Sequence, residues 1–436
     1  MNIILLSGGS GKRLWPLSND VRSKQFIKLF KDDKGEYESM VQRVYRQITA
    51  VDADATVTIA TGKSQVSAIR NQLNDKVAVC VEPCRRDTFP AIALAVAYLH
   101  DEKGVGLQEA VAVCPVDPYV SNSYYESVKK LGTLVEQGDA NITLMGIEPT
   151  YPSEKYGYII PMTSDSVSAV KEFKEKPDVS TAERYIEQGA LWNAGVFAFK
   201  LGYLLEKVHS MIDFTDYRDL YAKYDTLEKI SFDYAVVEKE TDIQVLRYEG
   251  AWSDVGTWNM MAEVMADATQ GNVILDNTCS NTNVVNELDI PILCMGCKNM
   301  VIAASCDGIL VSDKESSSYM KPYVEKLGED VRFAEKSWGS YTVIDAQSTS
   351  LTIKVTLHAG NQMKYHSHER RDEVWTVVEG TGRTIVDGME QVVRPGDVVT
   401  IAAGCKHTLI ADTDMSVIEV QVGSEISQAD KTVFPL

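Results

Sequence analysis

The sequence lacks a hydrophobic run that could cross a membrane: no stretch approaches the roughly 18 uncharged apolar residues that a membrane helix requires. Its first residues, MNIILL, contain no positively charged side chain, and their apolar run ends after a few positions at Ser7 and glycine. They therefore do not fit a secretory signal. Its 8 cysteines are spread over 436 residues and do not form the dense pattern of a disulfide framework. We therefore expect a cytoplasmic protein with reduced thiols and no membrane partner.

The sequence also has fewer basic than acidic residues, with 43 Lys and Arg against 62 Asp and Glu, which gives a formal net charge of -19. Proteins that neutralise nucleic-acid phosphates usually have a basic surface, so this balance argues against a nucleic-acid partner. The first 31 residues reverse the balance, with Asp20 as their single acidic residue. Their basic residues are Lys12, Arg13, Arg22, Lys24, Lys28 and Lys31. This local excess indicates a small anion-binding site.

The sequence pattern changes twice along the chain. Up to about residue 260, short β-branched runs alternate with helical stretches such as PAIALAVAYLHDEKG, which predicts an α/β, Rossmann-like, doubly wound and mostly parallel sheet. After about residue 335, short strands with period-two patterning and glycine turns predict an all-β sandwich or barrel. We therefore predict an α/β domain over 1–262, a β-rich connector over 263–333 and an all-β domain over 334–436.

A glycine-rich stretch, LLSGGSGKRLWPLS, follows the first apolar run, where an α/β sheet binds its ligands. A Walker loop would need glycine in place of Leu6 and Ser or Thr in place of Arg13. A dinucleotide fingerprint would need glycine or alanine in place of Leu14. The remaining interpretations are a turn whose backbone N–H groups wrap a phosphate, favoured by the nearby cations, and a purely structural tight turn.

This stretch and the SKQF that follows it resemble the signature of the sugar-1-phosphate nucleotidylyltransferases, and in particular of the mannose-1-phosphate guanylyltransferases. Further segments resemble that family in the expected order: VEPCRRDTFPAIALA, VCPVDPYV, GIEPTYPSEKYGYI, FKEKPD, WNAGVFAF, SFDYAVVEK and WSDVGTW. The resemblance covers about 260 residues and is specific as a set. It implies a transferase that joins GMP from GTP to mannose 1-phosphate and releases pyrophosphate, for GDP-mannose and polysaccharide biosynthesis.

The resemblance also implies roles for individual residues. In such a reaction one anionic oxygen attacks another polyanion, so cations must offset repulsion and developing charge. Arg13 and Lys24 would act on the triphosphate, and Asp117 and Asp254 would hold Mg²⁺, which prefers carboxylate oxygens. The implied nucleotide-binding residues are Gly8, Gly9, Gly11, Glu82, Arg86 and Asp87. The implied sugar-phosphate residues are Gly157, Tyr158, Glu175, Lys176 and Asn193.

The sequence departs from the family pattern at two positions: Asp87 stands in place of Asn, and Ser23 in place of Pro. An Asp can accept hydrogen bonds from the ring N–H and amine of guanine, so guanine stays allowed, while another base or another sugar 1-phosphate stays open. A non-catalytic sensor of nucleotide sugars is the alternative from a different class. The presence of Arg13, Lys24 and both metal-binding carboxylates favours the enzyme.

Histidine is rare, with 6 in the chain, and His366, His368 and His407 fall in one short region. Their spacing to Glu373 and to the glycines around them resembles the two motifs of the cupin family, with Ala402 in place of Pro. Alternate residues on a strand share a face, and three imidazoles with Glu373 suit a transition metal such as Zn²⁺ or Mn²⁺. A metal-free barrel with buried histidines is the alternative.

The C-terminal segments SWGSYTVIDA, ERRDEVWTVVEGTG and SVIEVQVGSEISQADKTVF resemble the mannose-6-phosphate isomerase domain that bifunctional guanylyltransferases carry. This implies interconversion of mannose 6-phosphate and fructose 6-phosphate, with Arg371 holding a phosphate or the enediolate oxygen. His366 replaces a Gln of that pattern, Val374 replaces a His, and the chain stops early at Leu436. An active isomerase and an inactive remnant both stay open, as does assembly into a homo-oligomer.

Overall fold

The computed structural model describes residues 1–9, 11–327 and 331–436, and of Gly11 and Gln428 only the backbone. Contacts divide it into two compact units: Met1–Ser10 with Lys24–Ala266, and Gly11–Ser23 with Asp267–Leu436. The domain limits at residues 262 and 333 stay predictions, and nothing in the sequence indicated that Gly11–Ser23 would group with the second unit. Within the described ranges, we find no helix with the length and apolar character needed to cross a membrane.

The first unit alternates strands and helices. Its strands are β1 (Asn2–Ser7), β2 (Lys28–Lys31), β3 (Tyr37–Ser39), β4 (Thr56–Gly62), β5 (Ala78–Glu82), β6 (Ala110–Pro115), β7 (Pro118–Val120), β8 (Ile142–Ile147), β9 (Tyr158–Pro161), β10 (Val167–Lys174), β11 (Leu191–Lys200), β12 (Ile243–Tyr248) and β13 (Trp252–Asp254). Its helices are α1 (Met40–Val51), α2 (Val66–Leu73), α3 (Thr88–Asp101), α4 (Asn122–Gln137), α5 (Val179–Glu187), α6 (Leu201–Met211), α7 (Tyr217–Lys223), α8 (Phe232–Ala235) and α9 (Trp258–Val264). The predicted α/β class is confirmed.

The main sheet of this unit has the strand order β5-β4-β1-β6-β11-β8-β12-β10-β9. β1 pairs in parallel with β4 and β6, β4 with β5, and β8 with β12. β11 is inserted between β6 and β8 and runs antiparallel to both. The sheet is therefore mixed, and the prediction of a mostly parallel sheet was wrong, since β9, β10 and β11 pair antiparallel with their neighbours. Its parallel part places the carboxyl ends of β1 and β6 side by side, where ligands bind in such folds.

The helices bury the sheet because of their apolar content. α3 is buried on nearly all sides, since its sequence TFPAIALAVAYLHD is apolar at almost every position. Its side chains share a core with residues of the strands, including Val111 and Phe199. α4 is amphipathic and packs its apolar residues against β6, β8 and β11. This packing fixes the strands whose ends carry the candidate site.

The second unit begins with a β-rich connector. Its elements are β14 (Thr269–Gln270), β15 (Val273–Leu275), β16 (Asn283–Asn286), β17 (Ile292–Cys294), β18 (Met300–Ser305), β19 (Gly308–Asp313) and the short helix α10 (Lys321–Val324). The strands form the sheets β14-β16-β18-β19 and β15-β17, with parallel pairing except between β18 and β19. The prediction of a β-rich connector is confirmed.

The rest of the second unit is all-β, as predicted. Its strands are β20 (Phe333–Lys336), β21 (Gly339–Ala346), β22 (Ser350–Leu357), β23 (His366–Ser367), β24 (Arg371–Glu379), β25 (Gly382–Val386), β26 (Met389–Val393), β27 (Val398–Ile401), β28 (His407–Ala411), β29 (Met415–Gly423) and β30 (Thr432–Val433). They form the sheets β20-β21-β22-β29-β24-β27 and β26-β25-β28-β23-β30. Alternate residues of these strands build an apolar core around Trp375, and the antiparallel pairing of β23 with β28 sets His366 opposite His407.

Candidate functional site

Lys24, Asp117 and Asp254 come together at the carboxyl end of β6. The Lys24 Nζ lies 2.8 Å from Oδ2 of Asp117 and 4.0 Å from Oδ1 of Asp254, and it donates a hydrogen bond of 3.1 Å to the Val255 carbonyl oxygen. β7 pairs antiparallel with β13, with Asp254 opposite Pro118, and this ladder brings the second carboxylate beside the first. The structure thus assembles three groups that the sequence predicted as catalytic.

The charges of this group suit an anionic ligand and a hard cation. The ammonium of Lys24 lies between two carboxylates and offsets their mutual repulsion. The side chains of Asp117 and Asp254 are 39% and 37% exposed, so a ligand in solvent can reach both. Mg²⁺ takes one or two carboxylates together with water and phosphate oxygens, and this donor set fits it.

The glycines that follow β1 rest on a buried polar network. Gln25 Nε2 donates to Ser7 Oγ at 2.9 Å, Thr61 Oγ1 donates to Gln65 Oε1 at 2.9 Å, and Gln65 Nε2 reaches the Gly9 carbonyl oxygen at 3.4 Å. These amides and hydroxyls are buried, so their hydrogen bonds to one another are shielded from water. Through Gln65 the network contacts the backbone at the start of the loop.

Gly8 and Glu82 are neighbours in the first unit. A Cβ on Gly8 would lie 3.7 Å from the Glu82 Oε1. Glu82 is buried, which raises the pKa of its carboxyl, and it accepts a hydrogen bond of 2.7 Å from the hydroxyl of Tyr224. Their part in nucleotide binding stays a prediction.

Arg86 and Asp87 lead into α3. The Arg86 guanidinium donates to the Asp225 carbonyl oxygen. Asp87 has a positive φ of 71°, and its carboxylate caps α3 by accepting from the Thr88 N–H at 2.8 Å. Asp87 therefore has a structural role at a helix N-terminus. Contact of either residue with a base stays a prediction.

Gly11 and Arg13 belong to the second unit. They lie in the short 3₁₀ turn Gly11–Leu14, where the Arg13 side chain is exposed while Leu14 is buried. Their part in triphosphate binding stays a prediction.

Gly157 makes room for Glu175 in the predicted sugar region. A Cβ on Gly157 would lie 2.5 Å from Glu175 Oε2, a distance that real Cβ atoms do not show, so a larger residue would displace the carboxylate. The Asn193 N–H donates to the Gly157 carbonyl oxygen at 2.8 Å. Glu175 is buried and pairs with the ammonium of Lys176. These four predicted residues are neighbours in the structure.

Tyr158 lies behind that cluster, with no exposed surface. Its hydroxyl accepts hydrogen bonds of 2.9 Å from the Ser153 N–H and 3.1 Å from the Trp192 indole, and it donates to the Ser153 carbonyl oxygen at 3.1 Å. The sequence interpretation placed Tyr158 on the sugar phosphate. Its side chain is buried and its hydroxyl supports the Ser153 loop and Trp192, while its part in sugar-phosphate binding stays a prediction.

Asp233 and Glu238 complete the cluster, and neither was singled out from the sequence. Asn193 Nδ2 donates to Asp233 Oδ1 at 2.7 Å, and Glu238 Oε1 accepts from the Glu175 N–H at 3.0 Å. Burial, followed by the charge of Glu175, raises the pKa of Asp233 to about 7. Both residues lie in SFDYAVVEK, so that motif held the signal that could have found them.

The raised pKa of Asp233 predicts a pH-dependent contribution to stability. The folded protein keeps this proton up to about pH 7, whereas an ordinary Asp releases it near 3.8, so the wild type loses stability as pH rises between these values. Asp233→Asn has no such titration. We therefore expect the difference in melting temperature between the variant and the wild type to increase by about a few degrees in favour of the variant from pH 5 to pH 8, as measured by calorimetry. A constant difference would contradict the raised pKa.

The cupin-like region contains a second candidate site. Ligand atoms of His366, His368 and His407 lie within 4.8 Å of one another, and all three side chains are buried. Burial, with a smaller effect of Lys431, lowers the pKa of His366 to about 3, and burial also lowers the pKa of His368. Neutral imidazoles are the form that binds a metal.

Backbone carbonyls fix the orientation of the three rings. The Nδ1 atoms of His366, His368 and His407 lie 2.6, 2.7 and 2.9 Å from the carbonyl oxygens of Lys364, Asp430 and Cys405. A carbonyl only accepts, so each Nδ1 carries the proton and each Nε2 offers its lone pair to the interior. Metal-binding histidines are held in this way, so the donor set fits a transition metal.

Glu373 and Arg371 lie beside the histidines. Glu373 Oε1 is 3.3 Å from His368 Nε2, and Glu373 Oε2 is 3.3 Å from His407 Nε2. Burial opposes ionisation of Glu373, but protonated His407 and His368, together with Arg371, outweigh it and lower its pKa to about 2. Beside the neutral imidazoles that bind a metal, Arg371 is the cation that remains next to Glu373. Arg371 donates to the lone pair of His368 Nε2 at 2.9 Å and to Glu373 Oε1 at 3.2 Å, so a metal bound by His368 would take the place of this arginine contact. All the predicted cupin residues are therefore in one buried cluster.

Two family models match the chain. Residues 2–271 match the nucleotidyl transferase family, and residues 353–421 match the cupin domain family. The chain belongs to the nucleotidyl transferase family. The lysine and the two carboxylates at the end of β6 thus lie within the part of this nucleotidyl transferase that the first model covers.

Relatives of the nucleotidyl transferase extend over its whole length. Mannose-1-phosphate guanylyltransferase ManC of Salmonella typhimurium is 28% identical over 99% of this chain and 96% of its own. Xanthan biosynthesis protein XanB of Xanthomonas campestris pv. campestris (strain B100) is 30% identical over 99% and 97%. A crystal structure named mannose-1-phosphate geranyltransferase, from Thermus thermophilus, is 26% identical, with a TM-score of 0.61 over 75% of this chain and 99% of its own. The resemblance to mannose-1-phosphate guanylyltransferases is confirmed.

Proposed function

We propose that this nucleotidyl transferase forms GDP-mannose from GTP and mannose 1-phosphate. The observation that carries the proposal is the position of the Lys24 ammonium, 2.8 Å from Asp117 and 4.0 Å from Asp254, in a chain related throughout to mannose-1-phosphate guanylyltransferases. A cation flanked by two accessible carboxylates suits transfer between two polyanions. XanB, a relative named for xanthan biosynthesis, favours a role in polysaccharide formation.

In the reaction, a phosphate oxygen of mannose 1-phosphate attacks the α-phosphorus of GTP. The bond from that phosphorus to the bridging oxygen breaks, and pyrophosphate leaves with the electron pair. Lys24 stabilises negative charge that grows in the transition state, Arg13 neutralises the triphosphate, and the backbone N–H groups near Gly8 bind its oxygens. Asp117 and Asp254 would hold Mg²⁺, which when bound supplies further charge neutralisation.

The cluster around Gly157 would bind the acceptor sugar. Asn193 lies on β11 and Glu175 directly follows β10, so both can accept or donate hydrogen bonds to sugar hydroxyls from fixed positions. Lys176 would contact the phosphate, since its ammonium is half-exposed beside Glu175. Tyr158 would act behind them, by keeping Trp192 in place.

A panel of nucleoside triphosphates and sugar 1-phosphates, with pyrophosphate release as the readout, tests this function. We expect the highest kcat/KM with GTP and mannose 1-phosphate in the presence of Mg²⁺. A higher kcat/KM with another base or another sugar would mean that the protein is a nucleotidyl transferase for a different substrate. Binding of nucleotide sugars without turnover of any pair would favour a sensor.

We also propose a second activity for the cupin-like region. It rests on the three histidines whose Nδ1 atoms donate hydrogen bonds to backbone carbonyls. His366, His368, His407 and Glu373 would hold a transition metal such as Zn²⁺ or Mn²⁺, which when bound polarises a carbonyl. Arg371 would hold a phosphate or an enediolate oxygen during proton transfer between C1 and C2. The activity would interconvert mannose 6-phosphate and fructose 6-phosphate.

His368→Ala separates the two activities. We expect the variant to lose bound transition metal, measured by elemental analysis, and any isomerase activity, because it removes one ligand of a buried set. Guanylyl transfer should stay within about a few-fold of the wild type, as for independent sites. A wild type that shows no isomerisation with Zn²⁺, Mn²⁺ or Co²⁺ would make the region a remnant, and loss of transfer in a folded variant with Mg²⁺ would contradict independence.

A further inference from the structure

The segment Gly11–Ser23 is held by the connector, 265 or more residues further along the chain. The Arg22 guanidinium binds Glu287 through two hydrogen bonds, from Nη1 at 2.7 Å and from Nη2 at 2.9 Å. It also lies 5.3 Å from the ring centre of Phe333, and its side chain is only 13% exposed. A two-point ion pair with little solvent exposure fixes direction as well as distance.

Asn19 forms a second attachment to the connector. Its Nδ2 donates to Asp307 Oδ2 at 2.7 Å, while its Oδ1 accepts from the N–H groups of Val21 and Arg22 at 2.9 and 2.7 Å. The other oxygen of Asp307 accepts from the Arg332 N–H at 2.7 Å. Asn19 thus closes a turn of the segment and ties that turn to Asp307.

The residues that follow Arg13 also contact the connector. The Ser305 hydroxyl donates to the Pro16 carbonyl oxygen at 2.7 Å. Trp15 lies against Gly308, where a Cβ would be 2.3 Å from Cζ2 of the indole. Leu14 is buried, whereas Arg13 is exposed. The connector therefore holds the segment by several separate contacts and leaves the Arg13 side chain in solvent.

We propose that Glu287 and Asp307 are positioning residues for nucleotide binding. They hold the segment that carries Arg13 in one conformation, so that GTP does not have to order a thirteen-residue loop on binding. The inference rests on the proposed function, because the triphosphate role of Arg13 belongs to it. It gives the connector a part in substrate affinity in addition to its part in folding.

The test uses Glu287→Gln and Asp307→Asn in the full chain, because each keeps the side-chain size and removes a charge. We expect kcat/KM for GTP to fall about tenfold, mainly through KM, while the KM for mannose 1-phosphate stays within about twofold. Equilibrium binding of GDP should weaken by a similar factor. Glu38→Gln is the matched control, since Glu38 also binds an arginine, Arg46, by two hydrogen bonds of 2.7 and 3.0 Å.

A double variant gives a second test, because it shows whether Arg22 and Glu287 act together on the KM for GTP. If Glu287 acts through Arg22, the double variant Arg22→Ala with Glu287→Gln should affect the KM for GTP no more than the stronger single variant. Melting temperatures identify variants that only destabilise the fold. A lowered melting temperature with unchanged KM for GTP, in both Glu287→Gln and Asp307→Asn, would overturn the inference, and so would additive effects.

The inference and the proposed function fail in different ways. If the wild type transfers GMP and Arg13→Ala raises the KM for GTP while Glu287→Gln does not, the positioning role is wrong and the proposed function stands. If the wild type releases no pyrophosphate with any substrate pair, the proposed function is wrong. GDP binding then decides the positioning role by itself.

Discussion

Lys24→Ala is expected to lower pyrophosphate release from GTP and mannose 1-phosphate by a factor on the order of 100 or more. The ammonium of Lys24 contacts two carboxylates and the Val255 carbonyl oxygen. From this position it can stabilise negative charge that appears only in the transition state. The loss should therefore fall mainly on kcat. Steady-state kinetics with each substrate varied in turn would separate kcat from KM.

A lysine in a comparable ion pair provides the control. Lys207, which lies outside the family motifs, is 3.1 Å from Glu240 in the same unit, so Lys207→Ala should leave kcat unchanged. Lys24→Arg keeps the charge but changes its shape and reach, so we expect only partial recovery. Turnover at the wild-type rate in a folded Lys24→Ala protein would remove this residue from the site.

Removal of divalent cations with EDTA is expected to abolish transfer, and excess Mg²⁺ to restore it. Asp117 and Asp254 are the accessible carboxylates that fit the ion, and a polyanionic reaction needs its charge offset. Asp117→Ala should lower transfer by a factor on the order of 100 and raise the Mg²⁺ concentration needed for half-maximal rate. Pyrophosphate release at a series of Mg²⁺ concentrations measures both effects.

EDTA also removes transition metals, so the experiment needs a protein without the histidine site. His368→Ala should show the same loss with EDTA and the same recovery with Mg²⁺ as the wild type. Recovery with Zn²⁺ alone would point to the histidine cluster instead. Full transfer in the presence of the chelator would contradict the metal assignment.

The strands and helices of the first unit were predictable because they depend on local apolar patterns, as in NIILL and the buried helix α3. Strand direction was not, because the periodicity of β11 is the same in either orientation, and only its neighbours show that it runs antiparallel. The grouping of Gly11–Ser23 with the connector was also outside the reach of local patterns. It depends on single polar contacts such as Asn19 with Asp307.

The candidate site was predictable where chemistry and spacing coincide, as for Lys24, Asp117 and the cupin histidines. Burial was harder to predict, because Tyr158 in YGYI gives no sign that its hydroxyl faces the interior. Asp233 lies inside the motif SFDYAVVEK, but the motif alone does not show what surrounds its side chain. Its raised pKa depends on the nearby carboxylate of Glu175, which lies 58 positions earlier in the chain.

The contacts of Gly11–Ser23 with the connector also bear on protein synthesis. Arg22 and Asn19 leave the ribosome early, but Glu287 and Asp307 follow 265 and 288 residues later. At about 5–20 residues per second, the segment waits at least ~13 seconds for its partners. Throughout that interval Leu14 and Trp15 belong to a nascent chain without its connector. Trp15 therefore cannot pack against Gly308 until translation reaches β19.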